Sequence, residues 1–343
     1  MFEQNDIYQE LWNPQPLKIR LSSRLFSLKP IGVGTPNTES ISSYLCRLAY
    51  EHCVPLQKLV TEELSSLLID RKIEPNLTNM RFSSIFGNSD AKPAINGMRD
   101  MTRSLTFALE SLTLRQDIKY LSFLTYQGII KDKGLFKQHK AWCPQCLEAR
   151  RQKNKPLYEP LIWSFKDVNY CSQHHCRLVD RCLSCDSQFK AINNNSIIGF
   201  CSKCKKWLGN KSNLFVNISD RAVSSSQRVH DLTTIEGIES LIKVAFKLDY
   251  QLTLSDAMRK LQLIHFCFER VVRQDITQLI ALGKVMEQLK ITFTSHYDKP
   301  LDLVKLLIPV CNAANISVAS FFIEDFQSLG DILVSNLEIN CKF

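Results

Sequence analysis

Four pairs of potential metal ligands lie within 62 positions near the middle of this 343-residue chain. Two residues separate the members of each pair, and the pairs are Cys143 and Cys146, Cys171 and His174, Cys182 and Cys185, and Cys201 and Cys204. A tight turn with this spacing directs two side chains at one ion. Two such turns complete a tetrahedral site with no open position, which is typical of structural zinc. The sequence therefore predicts two structural zinc ions.

The spacing leaves two ways to divide these eight ligands between the ions. A sequential division gives one site of three thiolates and one imidazole, followed by a site of four thiolates. A cross-braced division pairs the first turn with the third, as in other small zinc modules. Cys176 and His175 are the nearest alternative ligands. Both divisions remain open from the sequence.

Cysteine usage indicates a reducing compartment rather than a secreted protein. Glu3, Asp6 and Glu10 interrupt the first twelve residues, so we expect no signal peptide. Disulfides belong to oxidising compartments, which favours metal ligation over cross-linking here. No apolar run reaches the roughly eighteen residues of a membrane span. We therefore expect a cytoplasmic protein whose remaining cysteines are mostly small core residues.

The positive charge of the chain is concentrated around the predicted zinc ligands. The whole chain carries a formal charge of +9, yet residues 131–211 contain sixteen Lys and Arg against six Asp and Glu. Two zinc ions and seven thiolates would lower the charge of this region to about +7. Such a surface attracts a phosphate backbone, although a solvated surface is the alternative interpretation. The candidate contacts are Arg150, Arg151, Lys153, Lys155, Lys205 and Lys206.

Periodicity elsewhere predicts a mostly α fold in several parts. We expect an extended arm at 1–36, an N-terminal helical domain at 37–140, a tandem zinc region at 141–212 and a C-terminal helical domain at 213–343. A helix starting near Thr38 or Glu39 is followed, after a break near Cys53, by a second helix from Pro55. Two short helices joined this tightly resemble a helix-turn-helix.

Further helices are predicted at 101–113 and 118–130, with a loop at 86–97. Three apolar stripes follow in the C-terminal domain, and the third contains Ile276, Leu279, Ile280, Met286 and Leu289. We expect all three to be core. A final helical pair breaks at Asn315, which suggests a second helix-turn-helix.

Motifs for common enzymatic chemistry do not occur in this sequence. There is no phosphate-binding loop of the G-x4-G-K-[ST] type, no H-E-x-x-H and no G-x-S-x-G. His139 and His175 are the only lone histidines near the zinc ligands that could act as bases. A catalytic zinc needs an open coordination position, which two complete turns per ion do not leave. We therefore expect no enzymatic activity.

Several sequence pieces occur in the order and spacing of a known family. They are 39–49 (ESISSYLCRLA), 142–147 (WCPQCL), 158–163 (YEPLIW), Val168, Cys171 with His174, Leu178, and Cys182 with Cys185. In these the chain resembles the TniQ/TnsD family of transposon target-selection proteins. It departs from the family pattern at Ser172 and His175, where Pro and Gly are usual, and near Cys53, where Gly is usual.

The resemblance implies a non-catalytic adaptor in DNA transposition, acting at the bacterial nucleoid. Its implied partners are target DNA, a TnsC-like AAA+ ATPase and, for the type found in CRISPR-associated transposons, an effector complex such as Cascade with its guide RNA. A homodimer is a further expectation. Two alternatives differ in class. One is a zinc-ribbon protein that reads DNA directly, as an attachment-site reader or a transcription regulator. The other is an enzyme, either a zinc hydrolase or a ubiquitin-ligase-like module.

Overall fold

The computed structural model describes residues 22–65, 95–210, 225–248, 252–275, 277–295 and 298–339. These residues are mostly helical, and within them extended backbone occurs only as isolated bridges rather than as strands. The predicted fold class, mostly α with two Cys/His clusters in tandem, is confirmed. None of the described helices is long and apolar enough to cross a membrane.

The N-terminal helices form the pair that the periodicity predicted. Helix α1 (Ile41–Glu51) begins after Ser40, whose hydroxyl accepts a hydrogen bond from the Ser43 amide. The chain turns at Cys53, which has a φ of 54°. Helix α2 (Leu56–Lys58) then continues as a π-helical segment (Leu59–Leu64). The helices are confirmed, whereas a DNA-reading helix-turn-helix remains a prediction.

The helix predicted at 118–130 is wrong. Helix α3 (Asp100–Thr113) ends at the left-handed Leu114, and the chain continues as two 3-10 turns (Ile118–Leu121 and Leu124–Tyr126). Phe123 packs edge-on against Phe165 at 5.0 Å, and the Tyr126 hydroxyl donates to the Leu241 carbonyl at 2.8 Å. These distant contacts outweigh local helix propensity. Most of the predicted loop at 86–97 lies outside the described residues.

Helix α4 (Pro144–Gln152) lies in the metal region, and the described part of the chain after it contains six further helices. They are α5 (Ser225–Val244), α6 (Leu254–Gln274), α7 (Gln278–Ser295), α8 (a π-helical Leu303–Leu307 continuing as Ile308–Ala313), α9 (Val318–Ile323) and α10 (Phe326–Asn336). The predicted break at Asn315 is confirmed by its φ of 52°.

The third apolar stripe is only partly core, which corrects the sequence interpretation. Leu282, Met286 and Leu289 of α7 are buried, whereas Ile280 is 90% exposed. Residues two apart point to nearly opposite sides of a helix, so Ile280 cannot share the face of Leu282. Ile276 and the side chain of Leu279 lie outside the described residues.

Two hydrophobic cores organise the described chain. The first contains α1, α2 and α3, together with Ile192 and Ile198 from the segment between the third and fourth ligand pairs. The second extends from the first ligand pairs into the C-terminal helices, and it includes Trp142, Phe165 and Phe268. The metal region therefore contacts both sets of helices. The division of the chain into four parts at the boundaries given above remains a prediction.

Candidate functional site

The first cluster consists of Cys143, Cys146, Cys171 and His174, whose ligand atoms all lie within 4.8 Å of one another. The Cys146 Sγ lies 3.1 Å from the His174 Nδ1 and 3.5 Å from the Cys171 Sγ. The three thiols are buried, and the imidazole is half-buried. Four soft or borderline donors converging at these distances suit one tetrahedral ion.

The start of α4 shapes the first half of this cluster. Cys143 is the N-cap residue, Pro144 takes the first helical position, and the Cys146 amide donates to the Cys143 Sγ at 3.4 Å. Just before it, Trp142 pairs with Val179 through two backbone hydrogen bonds. The Trp142 ring stacks on Phe189 at 5.3 Å, so apolar packing closes the region around the ligands.

The second cluster consists of Cys182, Cys185, Cys201 and Cys204, again with all ligand atoms within 4.8 Å. The Cys182 Sγ lies 3.7 Å from the Cys204 Sγ, and the Cys185 Sγ lies 3.7 Å from the Cys201 Sγ. Two of the thiols are buried and two are half-buried. Four thiols at this separation can also hold one ion.

The turns at the second, third and fourth ligand pairs share one backbone design. In each, the residue after the second ligand has a left-handed conformation, with φ values of 52° at His175, 53° at Asp186 and 61° at Lys205. The amide of that residue donates to the carbonyl of the first ligand, at 2.7–3.0 Å. The first pair differs because α4 supplies its turn. His175 occupies the position where the family pattern usually has Gly. Glycine is the least strained residue at this position, because the backbone is left-handed there.

The geometry groups the eight ligands sequentially, not in the cross-braced division. Of the two alternative ligands, His175 is exposed. Cys176 is buried and its Sγ lies 3.4 Å from the Cys143 Sγ, but Cys176 does not join the mutually close set of four. Cys176 is therefore a fourth sulfur, beside the three thiols and one imidazole of the first cluster. The sequence spacing alone did not distinguish it from a ligand.

A hydrogen-bonded link joins the two clusters. The buried Glu148 of α4 accepts hydrogen bonds from the Trp207 Nε1 at 2.8 Å and from Arg151 and Gln152. These donors lower the pKa of Glu148 to about 2. The Trp207 indole lies against Gly199, where a Cβ would come within 2.3 Å of the ring. Only glycine fits there, because the φ of Gly199 is also 80°.

The six predicted nucleic-acid contacts have different surroundings. Arg150 already has protein partners, since its guanidinium stacks on Tyr158 at 3.9 Å and donates to the Tyr158 carbonyl at 2.7 Å. Arg151 lies 5.0 Å from the Trp207 ring and pairs with Glu148, while its side chain is 57% exposed.

The other four predicted contacts, Lys153, Lys155, Lys205 and Lys206, are exposed. Lys206 is next to Trp207 in the chain, so the Arg151–Trp207 contact brings the two basic runs of the sequence together. We call Arg151, Lys153, Lys155, Lys205 and Lys206 the basic surface. Their contact with nucleic acid remains a prediction.

The pieces of the family-like pattern also meet in space. The Ser40 amide at the start of α1 donates to the Glu159 carbonyl at 2.9 Å, and the Leu161 amide donates to the Thr38 carbonyl at 2.7 Å. The Glu159 carboxylate forms a buried ion pair with Lys140. The first helix and the YEPLIW piece therefore form one unit with the metal region.

A half-buried lysine that the sequence interpretation did not single out stabilises this unit. The Lys137 Nζ donates to the carbonyls of Trp163, Phe165 and Val168, at 3.2, 2.5 and 2.5 Å. Burial lowers the pKa of Lys137 to about 7. No sequence spacing signals this role, because the three acceptors are backbone atoms placed by a 3-10 turn (Leu161–Ser164) and the loop after it.

Comparison with known proteins supports the resemblance seen in the sequence. Comparison with curated proteins gives no match. The family model TniQ matches residues 30–178, a range that contains α1, α3 and the whole first cluster. The predicted resemblance is confirmed over that range, so residues 30–178 are the part of this chain that is similar to the TniQ family.

Proposed function

We propose that this protein is a non-catalytic target-selection adaptor of DNA transposition. The single observation that carries the proposal is the TniQ match over residues 30–178, which supports a role of the target-selection type. The backbone hydrogen bonds of Ser40 with Glu159 and of Leu161 with Thr38 support it further, because they join the start of α1 to the segment between the first two ligand pairs. In this role the protein binds and positions other components, and it acts in the bacterial cytoplasm at the nucleoid.

Zinc is the metal that the donor sets favour. Three thiolates with one imidazole, and four thiolates, are ligand sets typical of structural zinc, whereas oxygen donors suit magnesium or calcium. Zinc would hold the second ligand turn, which lies outside the helices, against the start of α4, and it would join the third and fourth turns to each other. Because metal binding is coupled to folding at such sites, removal of an ion is expected to unfold the surrounding turns. Elemental analysis of freshly purified protein should give two zinc ions per chain.

The proposed partners are a TnsC-like AAA+ ATPase and a CRISPR effector complex with guide RNA. Glu51, Gln57 and Lys58 on the N-terminal helical pair are exposed, and they are our candidates for one protein-binding surface. Purification of the tagged protein from cells that carry the intact transposon should recover the ATPase. Deletion of this chain should abolish integration but leave target binding by the guide complex unchanged. Normal integration at the correct target without the protein would refute the adaptor role.

The basic surface is proposed to contact the phosphate backbone of target DNA or guide RNA. In the 150–155 run, which contains no acidic residue, Lys153 and Lys155 are exposed, whereas Arg150, Arg151 and Gln152 have the protein partners described above. Replacement of Lys153, Lys155 and Lys206 by Gln should lower the slope of log affinity against log salt by about 0.9 for each phosphate that the variant no longer neutralises. Arg150 is kept because its substitution would also disturb packing.

The matched control replaces Lys284, Lys299 and Lys305 by Gln, because these lysines are also exposed but lie in the C-terminal part of the chain. This control removes the same charge from the chain. Equal effects of the two triple variants would mean that only net charge matters. An unchanged affinity in the Lys153, Lys155 and Lys206 variant would show that the surface is merely solvated.

The basic surface also favours a second candidate, a zinc-ribbon protein that reads DNA directly. The two candidates differ in what binding requires. A direct reader binds its attachment site tightly when purified alone, and it prefers that site over random DNA at physiological salt. An adaptor that relies on base pairing by a guide RNA shows only weak, salt-sensitive and sequence-independent binding alone. A gel-shift titration with the insertion target and a scrambled duplex separates them.

A further inference from the structure

Among the described residues, a non-ligand thiol lies beside the first cluster and none lies beside the second. Cys176 is 3% exposed, and its Sγ lies 3.4 Å from the Sγ of Cys143, which is fully buried. The other described cysteines outside the two clusters are Cys46, Cys53, Cys267 and Cys311, which belong to the helical parts of the chain. Within the described residues, Cys176 is therefore the one non-ligand thiol in contact with a ligand sulfur.

The backbone holds Cys176 in this position. The Cys171 amide donates to the Cys176 carbonyl at 2.8 Å, and the left-handed turn at His175 directs the chain back toward the first cluster. On the other side, Cys143 is fixed as the N-cap of α4, where the Cys146 amide donates to its sulfur.

We propose that Cys143 and Cys176 form a reversible disulfide that releases the ion of the first cluster under oxidising conditions. The inference rests on the proposed occupancy of this cluster by zinc. Cys143 belongs to the set of four that would hold the ion, whereas Cys176 lies outside that set and within 3.4 Å of the Cys143 sulfur. Gln173 and His175 in this turn are exposed and His174 is half-buried, so the turn is the side of the first cluster from which a small oxidant would reach the two buried sulfurs.

The step balances with a hydroperoxide as the oxidant. The Cys143 thiolate attacks one peroxide oxygen, which gives a sulfenic acid at Cys143 and, from hydrogen peroxide, a hydroxide ion. The Cys176 sulfur then displaces the sulfenic oxygen, which leaves as water with the Cys176 proton. One peroxide has accepted two electrons, one from each sulfur. Cys146, Cys171 and His174 remain as three ligands, a set with an open position that holds zinc less tightly.

The experiment treats the purified full chain with hydrogen peroxide and follows zinc release with a chromogenic chelator. Free thiols are then alkylated, and disulfides are mapped by mass spectrometry of a non-reducing digest. We expect release of one zinc per chain at low peroxide, a linked pair of peptides containing Cys143 and Cys176, and reversal by dithiothreitol with added zinc. The second cluster serves as an internal control, because it should keep its ion under these conditions.

Two variants separate the disulfide from general oxidation. Cys176→Ser should bind two zinc ions. Under peroxide it should release the ion of the first cluster several-fold more slowly than the wild type does. Cys311→Ser, which removes an equally buried thiol from α8, should behave as the wild type. If Cys176→Ser is poorly folded, Cys176→Ala replaces it, and the disulfide map of the wild type needs no variant.

The inference is overturned if Cys176 is recovered as an alkylated free thiol while zinc leaves, or if the variant releases zinc at the wild-type rate. Its failure is distinct from failure of the proposed function. The zinc content of untreated protein tests the metal sites, whereas the peroxide experiment tests only the Cys143–Cys176 pair.

Discussion

Relief of backbone strain in the fourth metal-binding turn is a direct test of how these turns are built. Lys205 follows the ligand Cys204 with a φ of 61°, a left-handed conformation that costs a non-glycine residue roughly 1–2 kcal/mol. Glycine avoids this cost but loses about 0.5–1 kcal/mol more backbone entropy on ordering. Lys205→Gly should therefore stabilise the zinc-bound turn by about 0.5–1 kcal/mol. The long hydrogen bond from the Lys205 Nζ to the Asn195 carbonyl, at 3.4 Å, removes little from this gain.

The same turn provides a matched control. Lys203 is also exposed and carries the same charge, but it does not have a positive φ. Lys203→Gly gains no relief of strain and should destabilise the turn by about 0.5–1 kcal/mol. The two variants should therefore differ by about 1.4 kcal/mol, which corresponds to roughly a tenfold difference in zinc affinity.

The assay is competition for zinc with a chelator of known affinity at constant pH, since folding of the turn and metal binding are coupled. We expect the zinc affinity to rank Lys205→Gly above the wild type and Lys203→Gly below it. Equal weakening by both substitutions would refute the reasoning. It would mean that the left-handed conformation at Lys205 carries no strain that glycine can relieve.

Three further predictions concern other parts of the chain. Cys201→Ser should lose one zinc ion by elemental analysis, whereas Cys176→Ser should keep two, because Cys176 is not among the eight grouped ligands. Lys137→Met should lower the free energy of unfolding by about 2–4 kcal/mol in denaturant titration, because three carbonyls lose their donor; the exposed control Lys166→Met should change it by less than about 0.5 kcal/mol. Burial lowers the pKa of His265, which packs on Phe293 beside Glu269 and Lys290. Its neutral form stabilises the fold above the ordinary pKa of 6.5, and this stability is lost as the pH falls below that value. His265→Leu should therefore reduce the loss of melting temperature between about pH 7.5 and 5.5, and an unchanged loss would contradict the assignment.

Local spacing was enough to predict the metal-binding turns. A pair of ligands separated by two residues is a local unit, because the turn that brings the pair together needs no distant contact. The same applies to α1, where Ser40 supplies the N-cap and the apolar residues recur at helical spacing. The TniQ resemblance was also readable, since it depends on the order and spacing of short pieces. The left-handed conformation in three of these turns was not predicted. Glycine usually indicates that conformation in a sequence, but His175, Asp186 and Lys205 occupy these positions here.

Tertiary structure decided which parts of the chain meet. Spacing was compatible with both divisions of the ligands, and only the three-dimensional arrangement grouped them sequentially. The predicted helix at 118–130 was wrong because the rings of Phe123 and Tyr126 are anchored by residues more than forty positions away. Ion pairing of Lys140 with Glu159 and the link from Glu148 to Trp207 join segments that have no local signal in common.

The sequence determined the kinds of sites this protein contains, because those depend on neighbouring residues. The contact between Cys143 and Cys176, and the position of the basic surface beside the second cluster, depend on packing between distant segments.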